Sequence, residues 1–197
     1  DEVVTGFGRL GHIFASEKVF GITPDIITSA KGLTSGYVPM GATIISDRLI
    51  NEISSDDNGD ILFSNGYTYS GHPVSAAAAV KNLEILDREN LLDHVREVSP
   101  HFQERLQALG EKYSIIGDAR GMGLLGCLEG AAAPGMPEKK RLAIDYEFGH
   151  RMDVATEKRG LLVRPLINMC VFSPPLVISH EEIDTMFDII DEAIAEV

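Results

Sequence analysis

The sequence predicts an α/β protein with two parts. Up to about residue 89, short apolar runs typical of strands alternate with helical patterns, as in an α/β sheet. From residue 90 onward, amphipathic helices flank short segments that have the pattern of a small antiparallel sheet. We therefore expect residues 1–89 and 90–197 to form separate domains.

The composition is that of an ordinary globular chain. Its 197 residues are 44% hydrophobic and 24% charged, which is enough to bury a sizeable core. A net charge of −13 argues against a nucleic-acid surface, which needs basic residues to neutralise phosphates, and against docking on anionic membranes. No run of about 18 apolar residues is present to span a bilayer. We expect neither nucleic acid nor a membrane as a partner.

The start of the chain and its cysteines give two further expectations. The chain opens on Asp1-Glu2-Val3-Val4 without a Met or a signal peptide pattern, and we interpret it as part of a longer protein. Cys127 and Cys170 lie far apart and form no paired motif. Their spacing suggests no disulfide framework, so we expect a reducing compartment and a cytoplasmic location.

Lys31 follows a short apolar run that begins after Pro24, and a glycine-rich turn follows it at once. A strand that ends in Lys places an amine at the edge of a sheet, where ligands bind. Lys becomes a nucleophile when partial burial lowers its pKa. An ordinary surface lysine at a strand end is the alternative, and the residues of this stretch alone favour it.

A glycine-rich segment precedes Lys31 and has the spacing of a dinucleotide-binding loop. Gly6-Phe7-Gly8-Arg9-Leu10-Gly11 matches that fingerprint, and Asp1 to Val4 before it has the pattern of a strand end. The residues after Gly11 carry neither an N-cap nor a clean helical period. We therefore expect a glycine-rich loop of another purpose rather than a nucleotide site.

The remaining elements of the first part are each bounded by a cap, a turn residue or a change of pattern. In chain order we predict a helix over 16–20 capped by Ser16, a buried strand over 41–46, a helix over 47–53, a polar acidic loop over 54–60 and a long helix from Val74 to Glu89.

Small hydroxyl residues alternate with aromatic residues over 65–70, before Gly71-His72-Pro73 opens the long helix. Pro73 suits the first turn of that helix. The hydroxyl groups of Thr68 and Ser70, next to backbone N–H groups, suit a phosphate. A simple turn with an N-cap explains the same residues equally well.

The second part has its own sequence of elements. We predict a helix over 92–112, strands over 114–117 and 123–129 joined by a tight turn over 118–123, a loop over 130–136, a helix over 138–159, a strand over 161–164 with a hairpin partner over 169–173, and a last helix capped by Ser179 with Glu182 in the capping-box position.

Arg164 lies at the end of a predicted strand, directly before Pro165. An Arg in this position can hold a carboxylate by two parallel hydrogen bonds. A surface salt bridge is the alternative, and the spacing alone favours the salt bridge.

Three motifs together resemble class III pyridoxal-phosphate-dependent aminotransferases, and most closely their omega-amino acid:pyruvate branch. They are Asp1-Glu2-Val3 with Gly6-Phe7-Gly8-Arg9, then Pro24-Asp25 with Ala30-Lys31-Gly32, then Thr68-Tyr69-Ser70-Gly71-His72-Pro73. The resemblance covers essentially the whole chain. It implies the fold of type I PLP-dependent transferases, with 1–89 as the C-terminal part of the large domain and 90–197 as the small α+β C-terminal domain.

The resemblance also implies roles for residues in the cofactor site. Lys31 matches the family lysine that forms the internal aldimine with pyridoxal 5'-phosphate and moves the substrate proton. Asp1 matches the aspartate that pairs with the pyridinium nitrogen, and Val3 the apolar residue that packs on one ring face. The segment Gly6–Gly11 is then a loop beside the active site, and no nucleotide binds there.

Further roles that the resemblance implies concern the phosphate and the substrate. Thr68, with Tyr67 beside it, matches the residue that binds the cofactor phosphate across the interface of a homodimer. Arg164 matches the arginine that binds the substrate carboxylate. The implied reaction is ping-pong transfer of an amino group from an amine or omega-amino acid to a keto acid such as pyruvate.

The resemblance leaves two alternatives open. A class III relative that shifts an amino group internally, or that decarboxylates its substrate, uses the same lysine and aspartate. Family members run to more than twice this length, so a catalytically incomplete fragment, whose helix from Val74 serves only in dimer packing, is the other alternative.

Overall fold

The computed structural model describes residues 1–53, 65–131 and 138–197. The chain divides into two compact units, Asp1–Leu92 and Asp93–Val197. The acidic loop predicted over 54–60 lies outside the described residues, as does most of the loop predicted over 130–136.

The first unit contains short strands and helices connected by tight turns. Its elements are α1 (Ala15–Lys18), β1 (Ile26–Ser29), a 3₁₀ turn (Lys31–Leu33), β2 (Ala42–Ile45), α2 (Asp47–Ile53) and α3 (Pro73–Arg88). β1 and β2 pair antiparallel, with Ile26 opposite Ile45 and Ser29 opposite Ala42. The strand that leads to Lys31 and the helices over 47–53 and from Val74 are thereby confirmed.

Three predictions for the first unit were wrong in detail. No strand forms over Asp1 to Val4: Val3 and Val4 lie in a turn, which the hydrogen bond from the Gly6 N–H to the Glu2 carbonyl closes at 3.0 Å. α1 begins at Ala15 without a side-chain cap, since the Ser16 hydroxyl donates to Glu2 instead. β2 is a strand but is not buried: Ile44 is 43% exposed, because a β-branched run favours a strand without deciding what packs on its faces.

The start of α3 shows how local sequence sets an element boundary. Pro73 is its first residue, where the missing N–H removes no helical hydrogen bond. The Val74 N–H donates to Nδ1 of His72 at 3.3 Å, so the histidine before the helix acts as its N-cap.

The second unit consists of three helices and a four-stranded antiparallel sheet. The helices are α4 (Leu91–Lys112, mostly in this unit), α5 (Glu138–Glu157) and α6 (His180–Ile194), and the strands are β3 (Ile116–Met122), β4 (Leu125–Gly130), β5 (Arg164–Leu166) and β6 (Met169–Phe172). The strand order in the sheet is β3-β4-β6-β5. This arrangement confirms the small antiparallel sheet with flanking helices.

The helices of the second unit bury their predicted apolar faces. In α4 these are Val95, Val98, Phe102, Leu106 and Leu109, and in α6 they are Ile183, Met186, Phe187, Ile190 and Ile194. The rings of Phe102 and Phe187 meet edge to face, with centroids 5.2 Å apart. The predicted capping box of α6 is also present, with Ser179 and Glu182 exchanging both hydrogen bonds.

Two boundaries in this unit differ from the predictions. β3 runs on to Met122, so the turn predicted over 118–123 reduces to Gly123 and Leu124, where Gly123 has a φ of +59°. The strand predicted over 161–164 begins only at Arg164, because Leu161 and Val163 pack against the core without pairing to β6.

The two cysteines are free thiols, as expected from their spacing. Cys170 is buried in β6, and burial raises its pKa to about 12. Cys127 in β4 is half-buried, and burial raises its pKa as well. Among the described helices, none is both long and apolar enough to cross a bilayer.

Candidate active site

The first residues of the chain are attached to the strand that leads to Lys31. The backbone N–H of Glu2 donates to the carbonyl of Thr28, near the end of β1, at 2.7 Å. The N–H of Val3 donates to Oδ1 of Asp1 at 2.8 Å and so orients that carboxylate. The structure therefore brings the segment of Asp1 and Val3 to the same end of β1 from which Lys31 projects.

Lys31 is exposed and has an unusual backbone conformation. It is the first residue of the 3₁₀ turn and has a φ of +43°, a value that residues other than glycine rarely adopt. Within the described ranges, no residue forms a hydrogen bond or an ion pair with its Nζ. Such local strain is typical of functional sites, where the surrounding structure maintains it.

Two contacts hold the turn that contains Lys31. A Cβ atom on Gly32 would lie 2.9 Å from Cβ of Phe7 and 3.2 Å from the carbonyl oxygen of Gly6, so the glycine-rich loop packs directly on the turn. From α3, the Nδ2 group of Asn82 donates to the carbonyl of Gly32 at 2.8 Å. Sequence reasoning missed Asn82, which lies among other polar residues of α3 and carries no distinguishing signal in the sequence.

Glu2 was also missed, although it is the most buried acidic residue of the described first unit. The residue is 3% exposed, and Oε1 accepts hydrogen bonds from the backbone N–H and the hydroxyl of Ser16 at 2.7 and 2.5 Å. Oε2 accepts from the hydroxyl of Thr5. Burial alone would raise the pKa of Glu2, but the hydrogen bonds from Ser16, Thr5 and the Ala15 backbone outweigh it, and the pKa is lowered.

Tyr67 and Thr68 lie in an exposed turn before α3. Tyr67 is 84% exposed, and its backbone N–H donates to Oγ of Ser70 at 3.0 Å. Tyr67, Tyr69 and Ser70 line a concavity of about 720 Å³, which Val38 to Gly41 and the start of α3 complete. The Ser70 hydroxyl thus takes part in a turn, whereas Thr68 has no hydrogen-bond partner for its hydroxyl among the described residues.

Arg164 belongs to the second unit, whereas the other candidate residues belong to the first. It opens β5 opposite Val171, is exposed, and borders a hollow of about 730 Å³ with a largely apolar lining. Within the part of the chain that the structure describes, the guanidinium forms no ion pair. The surface salt bridge that the spacing favoured is therefore not found there.

Comparisons with known proteins agree with the resemblance seen in the motifs. The family model for class-III aminotransferases matches residues 1–194. The probable gamma-aminobutyrate transaminase 2, mitochondrial, of Oryza sativa subsp. indica is 41% identical over 98% of this chain and 38% of its own length. The chain therefore spans about two fifths of the length of this curated relative.

Solved structures give the same result for the fold. An omega-transferase from Vibrio fluvialis JS17 is 33% identical with a TM-score of 0.87, over 98% of this chain and 45% of that one. An amine transaminase from an uncultivated Pseudomonas species, solved in a PLP-bound form, is 35% identical with a TM-score of 0.84, over 99% and 43%. These neighbours confirm the predicted transferase fold, and the match over residues 1–194 shows that the chain belongs to the class-III aminotransferase family.

Proposed function

We propose that this chain carries the catalytic lysine of a PLP-dependent transaminase, which moves an amino group from an amine or omega-amino acid to a keto acid such as pyruvate. The observation that carries the proposal is the 2.7 Å hydrogen bond from the Glu2 N–H to the Thr28 carbonyl. It links the segment of Asp1 to the strand of Lys31, and the reaction needs an anion and an amine on opposite sides of one ring.

The described residues fit the cofactor. Pyridoxal phosphate supplies a ring that takes up the electron pair released when a substrate proton is removed. The Lys31 amine is exposed and has no competing ion pair in the described ranges, so it would hold the cofactor and carry that proton. The Asp1 carboxylate would keep the ring nitrogen protonated, and Val3 would pack on one face of the ring.

The exposed turn before α3 suits a role at a subunit interface. We assign the Thr68 hydroxyl, with Tyr67 beside it, to the cofactor phosphate of a partner subunit in a homodimer. Tyr67 and Tyr69 are 84% and 79% exposed in this unit, and exposed aromatic clusters of this kind mark interaction surfaces. The active site would then lie at the dimer interface.

Arg164 is assigned to the substrate carboxylate. Its planar guanidinium can form two parallel hydrogen bonds to a carboxylate, and no acidic group of the described residues occupies it. The largely apolar hollow beside it suits the carbon chain of the substrate.

Domain roles and location complete the proposal. Residues 1–89 form the C-terminal part of the large PLP-binding domain, and residues 90–197 form the small C-terminal domain. Two free thiols support a reducing compartment such as the cytoplasm.

A cofactor titration of the protein expressed from its complete gene tests the role of Lys31. Pyridoxal phosphate should produce an absorbance band near the visible edge, and Lys31→Ala should lose it. Lys81→Ala is the matched control, because Lys81 is an exposed lysine of α3 paired with Glu84. A band that survives in Lys31→Ala, or no band in the wild type, would contradict the proposal.

Product analysis tests the reaction class. With an amine donor and pyruvate, transamination should yield alanine in an amount equal to the ketone or aldehyde formed from the donor. Release of carbon dioxide, or an amino group moved within one substrate, would instead identify a decarboxylase or an aminomutase.

A further inference from the structure

The carboxylate of Glu2 connects the two ends of the glycine-rich loop. The Thr5 hydroxyl donates to it from the start of the loop, and the backbone N–H and hydroxyl of Ser16 donate to it from the first turn of α1. The backbone of Glu2 is fixed as well, since its N–H donates to Thr28 and its carbonyl accepts from Gly6. Through its side chain and its backbone, this one residue therefore holds the segment of Asp1, the loop and β1 in one arrangement.

Closing a loop with a buried carboxylate costs free energy of desolvation. An ionised carboxyl group loses its hydration on burial, and the loss is recovered only when hydrogen bonds replace the water. Glu2 meets that condition through Ser16, Thr5 and the Ala15 backbone, which together lower its pKa. The loop itself is largely buried, with Phe7 5% and Leu10 7% exposed, so a carboxylate that joins its two ends also fixes its geometry.

The geometry that Glu2 fixes includes both candidate cofactor contacts. On one side, Val3 directly follows Glu2, and the Val3 N–H orients the Asp1 carboxylate. On the other side, Gly6 and Phe7 of the loop pack against Gly32, the residue after Lys31. A shift of the loop would therefore move the aspartate and the lysine relative to each other.

We propose that Glu2 is a positioning residue of the cofactor site, which sets the Asp1 carboxylate against the ring nitrogen through the loop that its buried side chain closes. This inference rests on the proposed function. Glu2 itself touches neither cofactor nor substrate, and its effect is transmitted by the backbone of Val3 and by the packing of Phe7 on Gly32.

The test uses Glu2→Gln in the protein expressed from its complete gene. The amide keeps the size of the side chain, but it replaces one acceptor oxygen by a donor that faces Ser16 or Thr5. We expect the dissociation constant of pyridoxal phosphate to rise about tenfold, as is typical when a supporting contact is lost. Glu17→Gln is the matched control, because it removes the same charge from an exposed glutamate next to Ser16.

A spectroscopic readout separates positioning from stability. At saturating cofactor, the pH midpoint of the bound cofactor's absorbance band should rise by about one pH unit in Glu2→Gln. A weaker contact with Asp1 would leave the ring less positive. A less positive ring would raise the pKa of the lysine nitrogen that is attached to the cofactor. Glu17→Gln should retain the wild-type midpoint. A lower melting temperature with unchanged midpoint and affinity would show a merely structural role and overturn the proposal.

A second variant covers the case in which Glu2→Gln does not fold. Ser16→Ala removes one donor to Oε1 and keeps the charge, and a smaller rise in the midpoint is expected. A wild-type midpoint and affinity in Ser16→Ala, with Glu2→Gln unfolded, would also overturn the proposal. Failure of the proposed function is distinguishable, because the wild type itself would then give no band for Lys31→Ala to lose.

Discussion

In the second unit, α4 and α6 bury almost every residue of their apolar faces, whereas in the first unit large apolar side chains such as Tyr37, Tyr67 and Val80 remain exposed. Most of the exposed large hydrophobic residues of the described chain belong to the first unit. That unit also holds Lys31, Asp1 and Thr68. The comparison teaches that one unit is built mainly around its own core, while the other presents its candidate chemistry on a surface suited to ligands and partners.

The largest expected effect tests this contrast with two leucines on helices. Leu106→Ala should lower the free energy of unfolding by about 3 kcal/mol, because Leu106 is fully buried in α4. Leu83→Ala should lower it by about 1 kcal/mol or less, because Leu83 is 37% exposed on α3. Urea denaturation measures both. Equal losses would break the comparison, since Leu83 would then be covered as fully as Leu106.

A second prediction asks whether an exposed residue of the well-packed unit serves function rather than folding. Arg164→Ala should lower kcat/KM for a keto acid about 30-fold, because a charge-assisted bidentate contact is lost. A donor amine without a carboxylate should be affected little in its half-reaction, and Arg164→Lys should recover only part of the loss. Equal losses for the two substrates would remove the carboxylate role.

The third prediction sharpens the contrast within the first unit, where close packing is found at the lysine turn. Gly32→Ala should cost about 1–2 kcal/mol of stability and weaken cofactor binding, because its Cβ would approach Phe7 to 2.9 Å. Gly66→Ala has no neighbouring atom within 4 Å and should leave the stability of the unit unchanged. Thermal melts and the cofactor titration provide the measurements. If Gly32→Ala changed neither stability nor cofactor binding, the loop would be able to move away from the new side chain without affecting the lysine turn.

The smallest effect concerns the pH dependence of the second unit. The pKa of Asp184 lies below its usual value. The hydrogen bond with His101 lowers it most, burial raises it, and the hydrogen bond with Arg105 lowers it further. Because the pKa is lower in the folded state, ionised Asp184 contributes fully to the free energy of unfolding above about pH 4. That contribution is lost as the pH falls through the pKa of Asp184 in the folded protein.

Asp184→Asn tests that sign directly. The melting temperature of the variant should lie below that of the wild type at pH 7, and the gap should narrow as the pH falls below about 4. Asp87→Asn, at an exposed position of α3 in the first unit, should show no such convergence. A gap that stays constant down to the lowest pH would contradict the assignment.

Elements whose determinants are local in sequence could be predicted well. The capping box of Ser179 and Glu182 spans only three residues, and the apolar face of α4 follows from a helical period alone. The strand before Lys31 was found for the same reason, from one apolar run and the glycine after it. These features need no knowledge of distant contacts.

The features that sequence reasoning missed depend on residues far apart in the chain. Glu2 is buried because Ser16 returns to it from fourteen positions away. Asn82 reaches Gly32 across fifty residues. The exposure of Ile44 likewise depends on which surfaces lie near β2, which a β-branched run does not encode. For the candidate site, the motifs therefore predicted the residues proposed for chemistry but not those that hold them in place.

The unequal thiols of β4 and β6 provide an internal reporter of folding. Alkylating reagents react with thiolates, so Cys170, buried and with a pKa of about 12, should be labelled only when the sheet opens. Cys127, half-buried on the neighbouring strand, gives an earlier signal from the same molecule. Mass spectrometry of the two labelled peptides would therefore time local fraying against global unfolding without any engineered tag.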